Sequence, residues 1–197
     1  VEAETGKLLR EDDVISVADF CRFDETTGTW STAAAGPVPA GKKQPATNQT
    51  NLVVGDWHYF LAHDVLAVGR VNVTNGKTEY LQLPAQKVAA AEAENDQLIW
   101  PKKLALPNDT KNSRGIDIAM DKRAKGTGWG HVSAASPIAV NELLFFPIMN
   151  GTVYVIDASK PVLNQDALVA VNDLGVAGET WCLASFTCAS GRLFIHT

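Results

Sequence analysis

The chain has 197 residues, a length that allows one domain or two small ones. Apolar residues make up 46% and charged residues 20%, a composition that excludes wholesale disorder. The net charge of −5 excludes the basic surface of a nucleic-acid binder, and no apolar run approaches the ~20 residues of a membrane helix. We therefore expect neither a nucleic-acid partner nor a membrane span.

The first 50 residues contain a weakly patterned unit. Residues 14–23 and 28–32 have the β-branched and aromatic content of strands, and the loop at 33–50 is rich in Pro, Gly, Ala and Lys without any periodicity. We assign residues 8–50 to a first strand-forming unit.

A clearer pattern then occurs three times along the chain. A short apolar run is followed by a two-residue polar turn and a second, aromatic-rich run, and such turns suit tight β-hairpins. The three hairpins cover residues 52–60, 138–146 and 186–195, with turns at Gly55-Asp56, Asn141-Glu142 and Ser190-Gly191.

The first two of these hairpins are each followed by two more predicted strands. The third strands, at 69–74 and 151–156, alternate polar and apolar residues, which indicates one buried face. Fourth strands are predicted at 77–83, after the turn signal Asn75-Gly76, and at 166–171.

Between the two four-strand units lies an insertion, residues 85–131. Its first part, 85–95, is rich in strong helix formers and predicts one helix of two to three turns. Residues 108–130 are polar, charged and glycine-bearing, which indicates a long exposed surface loop.

Repeats of about 40–50 residues with four short strands each are typical of β-propeller blades. We therefore predict an all-β fold of four-stranded antiparallel blades, a partial propeller of about two to three blades with one inserted short helix and a long loop. The whole chain, 1–197, is one partial propeller domain. Its blade-like units lie at about 8–50, 51–84 and 132–174, the start of another lies at 178–197, and the insertion is 85–131.

Several motifs resemble those of pyrroloquinoline-quinone-type (quinoprotein) propellers. They are Val1-x-Ala-x-Thr-Gly-Lys7, Ser136-Pro, Gly151-x-Val-Tyr-x-x-Asp157 and the stretch from Gly178 to Ile195. Within that family, the chain most resembles large secreted bacterial proteins, planctomycete-like, that contain such a propeller domain. The resemblance implies a location in the periplasm or outside the cell.

The resemblance does not extend to the catalytic features of that family. Leu8-Leu9-Arg10 stands where the family's docking Trp would follow Lys7, and the chain has no adjacent cysteines. We therefore expect a non-catalytic binding or scaffolding section without a cofactor. Two alternatives stay open: a section of a quinone- and calcium-dependent alcohol-dehydrogenase-like oxidoreductase, and a section of a carbohydrate-active propeller.

The candidate contact residues for a ligand or partner lie in the insertion. A local positive patch on an acidic chain suits an anionic polysaccharide, a phosphate or an acidic protein surface. The predicted contact residues are Arg114, Lys122, Arg123, Trp129 and His131. Trp100 and Trp129 are candidates either for a sugar-stacking platform or for core packing, and His131 is also a candidate for a WD-like hydrogen-bond network between blades.

Two further expectations concern the cysteines and the assembly. We expect Cys21, Cys182 and Cys188 to be buried free thiols, with a Cys182–Cys188 disulfide as the alternative. The motifs at 1–7 and 192–197 look like the interior of blades, so we expect the chain to be part of a larger propeller. The remaining blades of the same protein, or other copies or chains, would complete the ring.

Overall fold

The structure is a computed structural model that describes residues 2–38, 49–88, 97–100, 135–175 and 180–197, together with 111, 115–117, 120 and 129. Within these residues the regular structure consists of fourteen β-strands and two three-residue 3-10 helices, His63–Val65 and Gln165–Ala167. The prediction of an all-β chain with antiparallel sheets is confirmed. No helix among the described residues is long and apolar enough to span a membrane.

The larger sheet has six strands, four of which form an antiparallel meander. In chain order the strands are β1 (Ala18–Asp24), β2 (Thr29–Gly36), β3 (Leu52–Val54), β4 (Trp57–Ala62), β5 (Ala67–Asn72) and β6 (Thr78–Gln82). Their order in the sheet is β2-β1-β6-β5-β4-β3. The β3–β6 meander corresponds to the predicted unit at 51–84.

The hairpin β1–β2 departs from the predicted arrangement. Instead of forming a sheet of its own within the predicted unit 8–50, it extends the second unit, because β1 pairs in parallel with β6 from Asp19–Glu79 to Cys21–Leu81. A parallel neighbour was not predicted. Parallel pairing needs a long connection between its strands, and the segment from β2 to β5 supplies it here.

The second complete meander has four strands. They are β9 (Ile138–Val140), β10 (Leu143–Pro147), β11 (Thr152–Asp157) and β12 (Leu168–Asp173), and they lie in the sheet in this order. This sheet corresponds to the predicted unit at 132–174. The third hairpin, β13 (Thr187–Ala189) and β14 (Arg192–Phe194), also forms as predicted.

All three hairpins turn in two residues because the turn residues adopt left-handed backbone angles. Val54 pairs with Trp57 around Gly55, whose φ is 57°. Asn141 has a φ of 55° between Val140 and Leu143. Glycine and asparagine tolerate this region better than other residues, which is why the turns could be placed from the sequence.

The predicted helix at 85–95 is wrong at its start. Gln86–Val88 is a strand, β7, which pairs antiparallel with β8 (Gln97–Ile99), and residues 89–96 lie outside the described residues. Ladder pairing with β8 outweighs the helix propensity of these residues, because propensity is easily overridden by tertiary contacts. The predicted insertion thus contains a two-stranded sheet.

The main core lies between the two large sheets. Side chains from β4, β5 and β6 on one side meet side chains from β10 and β11 on the other. The largest of them are Tyr59, Leu61, Leu81, Leu144, Phe146, Tyr154 and Ile156, all with 2% exposure or less. Burying so much apolar surface between the sheets is the dominant stabilisation of this packing.

A second core covers the opposite face of the six-stranded sheet. Phe20 and Phe60 both contact Tyr80 edge-to-face, at centroid distances of 5.8 and 5.7 Å. Val14 and Ile15, from the segment before β1, pack against this cluster. Both faces of the six-stranded sheet are therefore covered.

Candidate functional site

The predicted contact residues are only partly visible in the described chain. Arg114, Lys122, Arg123 and His131 lie outside the described residues, so their role stays a prediction. Trp129 is described and has no exposed surface. Its ring is a core element and does not face solvent as a ligand contact would.

Trp129 takes part in a buried hydrogen-bond chain that ties the insertion to the second sheet. Its indole Nε1–H donates to the Tyr154 hydroxyl at 2.7 Å, and that hydroxyl donates to the carbonyl of Pro84. The Asn150 amide donates to the carbonyl of Ala85 at 3.0 Å. Burial raises the pKa of Tyr154, so this hydroxyl stays neutral at physiological pH.

Trp100 is likewise a packing residue. It is 7% exposed and stacks on Phe23 with 4.3 Å between ring centroids, while the half-buried Trp30 meets it edge-on at 5.3 Å. The cluster anchors β8 against β1 and β2. Trp100 and Trp129 are therefore core-packing residues and do not form a sugar-stacking platform.

The described surface holds a polar pocket beside the β1–β6 junction. It has a volume of about 440 Å³ and opens to solvent between β1, the end of β2 and the β5–β6 turn. Its lining combines carboxylates, an ammonium, an amide and a hydroxyl with small apolar groups. These residues are Asp13, Val17, Ala18, Asp19, Ala35, Asn75, Gly76, Lys77 and Thr78.

A β-bulge shapes one wall of this pocket. Ala18 pairs with Gly36 and Phe20 pairs with Ala33, so Ala34 and Ala35 together oppose the single residue Asp19. Ala35 has a φ of 48°, in the left-handed region that alanine rarely adopts. The Asp19 carboxylate accepts the Ala35 backbone N–H at 2.9 Å and so holds the bulge in place.

Lys77 connects the pocket to a buried charge network. Its Nζ lies 3.5 Å from Asp19 Oδ2 and 2.6 Å from Glu79 Oε1. The hydrogen bond to Glu79 raises the pKa of Lys77, which stays protonated. Lys77 is about half exposed, while Glu79 is buried, so the ammonium sits at the pocket rim above a buried carboxylate.

Arg70 completes the network and joins the two sheets. Its guanidinium is fully buried and lies 2.6 Å from Glu79 Oε2. It also donates to the carbonyls of Lys160 and Pro161, at 3.0 and 2.8 Å, in the loop that follows β11. Trp57 covers it, with 4.0 Å from the guanidinium carbon to the ring centroid.

The carboxylate of Asp13, one of the two in the pocket, is held by hydrogen bonds from the residues that follow it in the same turn. The Ser16 hydroxyl and the backbone N–H groups of Ser16 and Ile15 donate to it. These hydrogen bonds, that of the Ser16 side chain first, lower the pKa of Asp13. Asp13 and Asp19 are therefore both hydrogen-bond acceptors at the pocket, and the Lys77 ammonium provides donors.

The pocket is suited to binding polar groups. Its side chains offer paired acceptors and a fixed ammonium. Among the described residues, no group of three His, Cys, Asp or Glu side chains is placed to hold a metal ion.

The three cysteines are free thiols, and the alternative of a Cys182–Cys188 disulfide is not realised. Cys21 and Cys182 are buried, and burial raises the pKa of both thiols. Cys188 is exposed on β13, where a buried position was expected.

Sequence reasoning missed the Arg70–Glu79 pair. The alternation at 69–74 places Arg70 on the polar face of the strand, opposite Val71, yet both residues are buried. A usable signal was present: pairing β5 with β6 around the Asn75-Gly76 turn sets Arg70 directly opposite Glu79. Opposite charges at facing positions of a hairpin indicate a pair.

No family model matches the chain, and no curated protein matches it.

Proposed function

We propose that the chain is a section of a β-propeller that serves as a non-catalytic binding and scaffolding module outside the cytoplasm. The observation that carries the proposal is the pair of four-stranded antiparallel meanders, β3–β6 and β9–β12, packed face to face over one core. Consecutive meanders stacked in this way are the repeating unit of a propeller.

The placement of the first strands supports the same proposal. β3 and β9 are each three residues long, each lies at the edge of its sheet, and the two lie close together. In a propeller the first strand of every blade runs along the central channel, where short protected edges meet. The third hairpin repeats the same start, with Phe186 packed on Phe145 of the second sheet.

The buried charge network of Arg70, Glu79 and Lys77 favours a scaffolding role for these residues. Every hydrogen bond of the Arg70 guanidinium goes to Glu79, to Tyr59 or to the carbonyls after β11, which fixes one meander against the next. The polar pocket at Asp19 and Lys77 then gives this scaffold a place to bind a polar ligand or partner side chain. Location outside the cytoplasm rests on the resemblance of the blade motifs alone.

Two measurements test the proposal. Electron microscopy of the complete natural protein should show a ring of blades, and an open two-sheet sandwich would refute the propeller. Thermal unfolding with pyrroloquinoline quinone and calcium should leave Tm unchanged. A rise of several degrees would favour the oxidoreductase alternative, because tight binding stabilises the native state.

A further inference from the structure

We propose that the polar pocket beside the β1–β6 junction binds a primary ammonium group on an alkyl stem, with Asp13 and Asp19 as its two acceptors. The proposal rests on the binding role proposed above and deepens it, because it names the chemical class of the ligand. A free alkylamine and the side chain of a lysine on a partner share this chemistry.

The charges that line the pocket favour a cationic ligand. Asp13 and Asp19 are carboxylates, and Lys77 is the one cation among the described residues of the lining. The Lys77 ammonium is already shared, since its Nζ lies 2.6 Å from the buried Glu79 and 3.5 Å from Asp19. None of the ion pairs formed by the described residues includes Asp13. The lining therefore has an excess of negative charge, and an anion would face two carboxylates.

The acceptors of the pocket suit an ammonium better than a guanidinium, because each carboxylate oxygen already has one partner. The Asp13 carboxylate accepts the Ser16 hydroxyl on one oxygen and backbone N–H groups of its own turn on the other. At Asp19, Oδ1 accepts the Ala35 backbone N–H and Oδ2 faces Lys77. A guanidinium pairs best with two open oxygens of one carboxylate. An ammonium is a point charge with three donors, so it can use one remaining lone pair on each of two carboxylates.

The apolar part of the lining suits an unbranched alkyl stem. Ala18 and Ala35 are small, and Val17 is 60% exposed, so it adds an accessible apolar wall. An alkylamine can bury its methylene groups against such side chains while its charged head stays at the polar atoms. A quaternary ammonium ion is recognised by aromatic rings, and the described lining contains none. The volume of about 440 Å³ leaves room for a stem as long as that of lysine.

The test is a titration of the whole chain with n-butylamine near neutral pH. The amide NMR signal of Ala35 reports binding, because this N–H donates to Asp19. We expect a saturable shift with a Kd of about 1 mM, the strength of a few solvent-exposed ion pairs and a short apolar stem. At matched ionic strength, n-butanol, butyrate, butylguanidine and butyltrimethylammonium should each bind at least about fivefold more weakly.

A second titration separates the two sources of the ammonium group. The probe is a capped glycine–lysine–glycine peptide. Binding as tight as that of n-butylamine would assign the pocket to the lysine side chain of a partner. Binding at least about fivefold weaker would assign it to a free amine, because the peptide backbone would then not fit at the rim.

Three variants test which residues hold the ammonium. Asp13→Asn should weaken n-butylamine binding by about fivefold, since it removes one exposed charge of the site. Asp12→Asn is the matched control: it removes the same charge one residue away, where the carboxylate pairs with Arg10 at 2.5 Å and does not line the pocket. Lys77→Met should strengthen binding by about threefold, because it removes the cation that competes for Asp19.

The outcomes separate this inference from the proposed function. Absence of a saturable shift up to ~10 mM n-butylamine would overturn the inference, and so would n-butanol binding as tightly as n-butylamine. Equal weakening by Asp12→Asn and Asp13→Asn would overturn it too, because the long-range field of an acidic chain would then explain the binding. Weaker binding in Lys77→Met would show that Lys77 attracts the ligand and would contradict a cation site. A ring of blades without amine binding refutes this inference alone, and amine binding without a ring refutes the propeller alone.

Discussion

Replacing Arg70 with methionine would remove the guanidinium that lies between the two large sheets. The side chain has no exposed surface, and its partner Glu79 is 1% exposed. Methionine keeps much of the apolar stem that packs under Trp57. The substitution therefore tests the charge and its hydrogen bonds more than the packing volume.

The expected loss of stability follows from the polar groups that lose Arg70 as their partner. Glu79 keeps only Lys77 at Oε1 and the Leu163 backbone N–H at Oε2, at 2.6 and 3.0 Å. The carbonyls of Lys160 and Pro161 lose their donor. Breaking a buried ion pair by removing one partner typically costs about 3–5 kcal/mol. At about 2–4 °C per kcal/mol for a chain of this size, Tm should fall by about 6–20 °C.

Urea unfolding followed by tryptophan fluorescence measures this loss, because Trp57 lies on the guanidinium. Lys77→Met is the matched control: it removes the other cation from the same carboxylate, but Lys77 is 49% exposed, so it should cost about 1 kcal/mol or less. Combining Arg70→Met with Glu79→Leu should recover part of the loss, since no unpaired buried charge remains.

A small effect would refute the reasoning. If Arg70→Met cost no more than Lys77→Met, the network would not hold the two sheets together. If the double variant were as unstable as Arg70→Met, the loss would come from the orphaned carbonyls and not from the charge.

Three further predictions concern packing, thiols and pH. Gly69→Ala should lower the free energy of unfolding by about 1–3 kcal/mol, because a Cβ there would lie 2.5 Å from the Phe60 ring; Gly36→Ala, whose nearest contact would be 3.9 Å away, is the control in urea unfolding, and equal effects would contradict the packing argument. A thiol-reactive chromophore should titrate Cys188 alone in the native chain and the two buried thiols only in urea, and fast reaction of all three would contradict their burial. Stability should fall as pH rises above about 10, because burial raises the pKa of Tyr154 in the folded state while the unfolded tyrosine ionises at its ordinary value; Tyr154→Phe should flatten this decline in urea midpoints, and an unchanged decline would contradict it.

The sequence by itself was sufficient to place the hairpins. Gly55, Asn141 and Ser190 each have a positive φ at the turn where the sequence predicted it. The strands that follow start within about two residues of the predicted positions, as Thr152–Asp157 does against the prediction 151–156. These features depend on neighbouring residues: turn residues tolerate particular backbone angles, and period-2 alternation defines a pleated strand.

Tertiary structure decided what each strand pairs with and which side chains are buried. Gln86–Val88 became a strand because Gln97–Ile99 pairs with it, against its own helix propensity. The hairpin β1–β2 joined β6 in parallel, and Arg70 and Trp129 were buried by segments far along the chain. Burial of a charge or an indole is favourable only where another segment supplies the matching hydrogen bonds. The residues next to Arg70 and Trp129 in the sequence do not show which segment that is, so their burial could not be predicted.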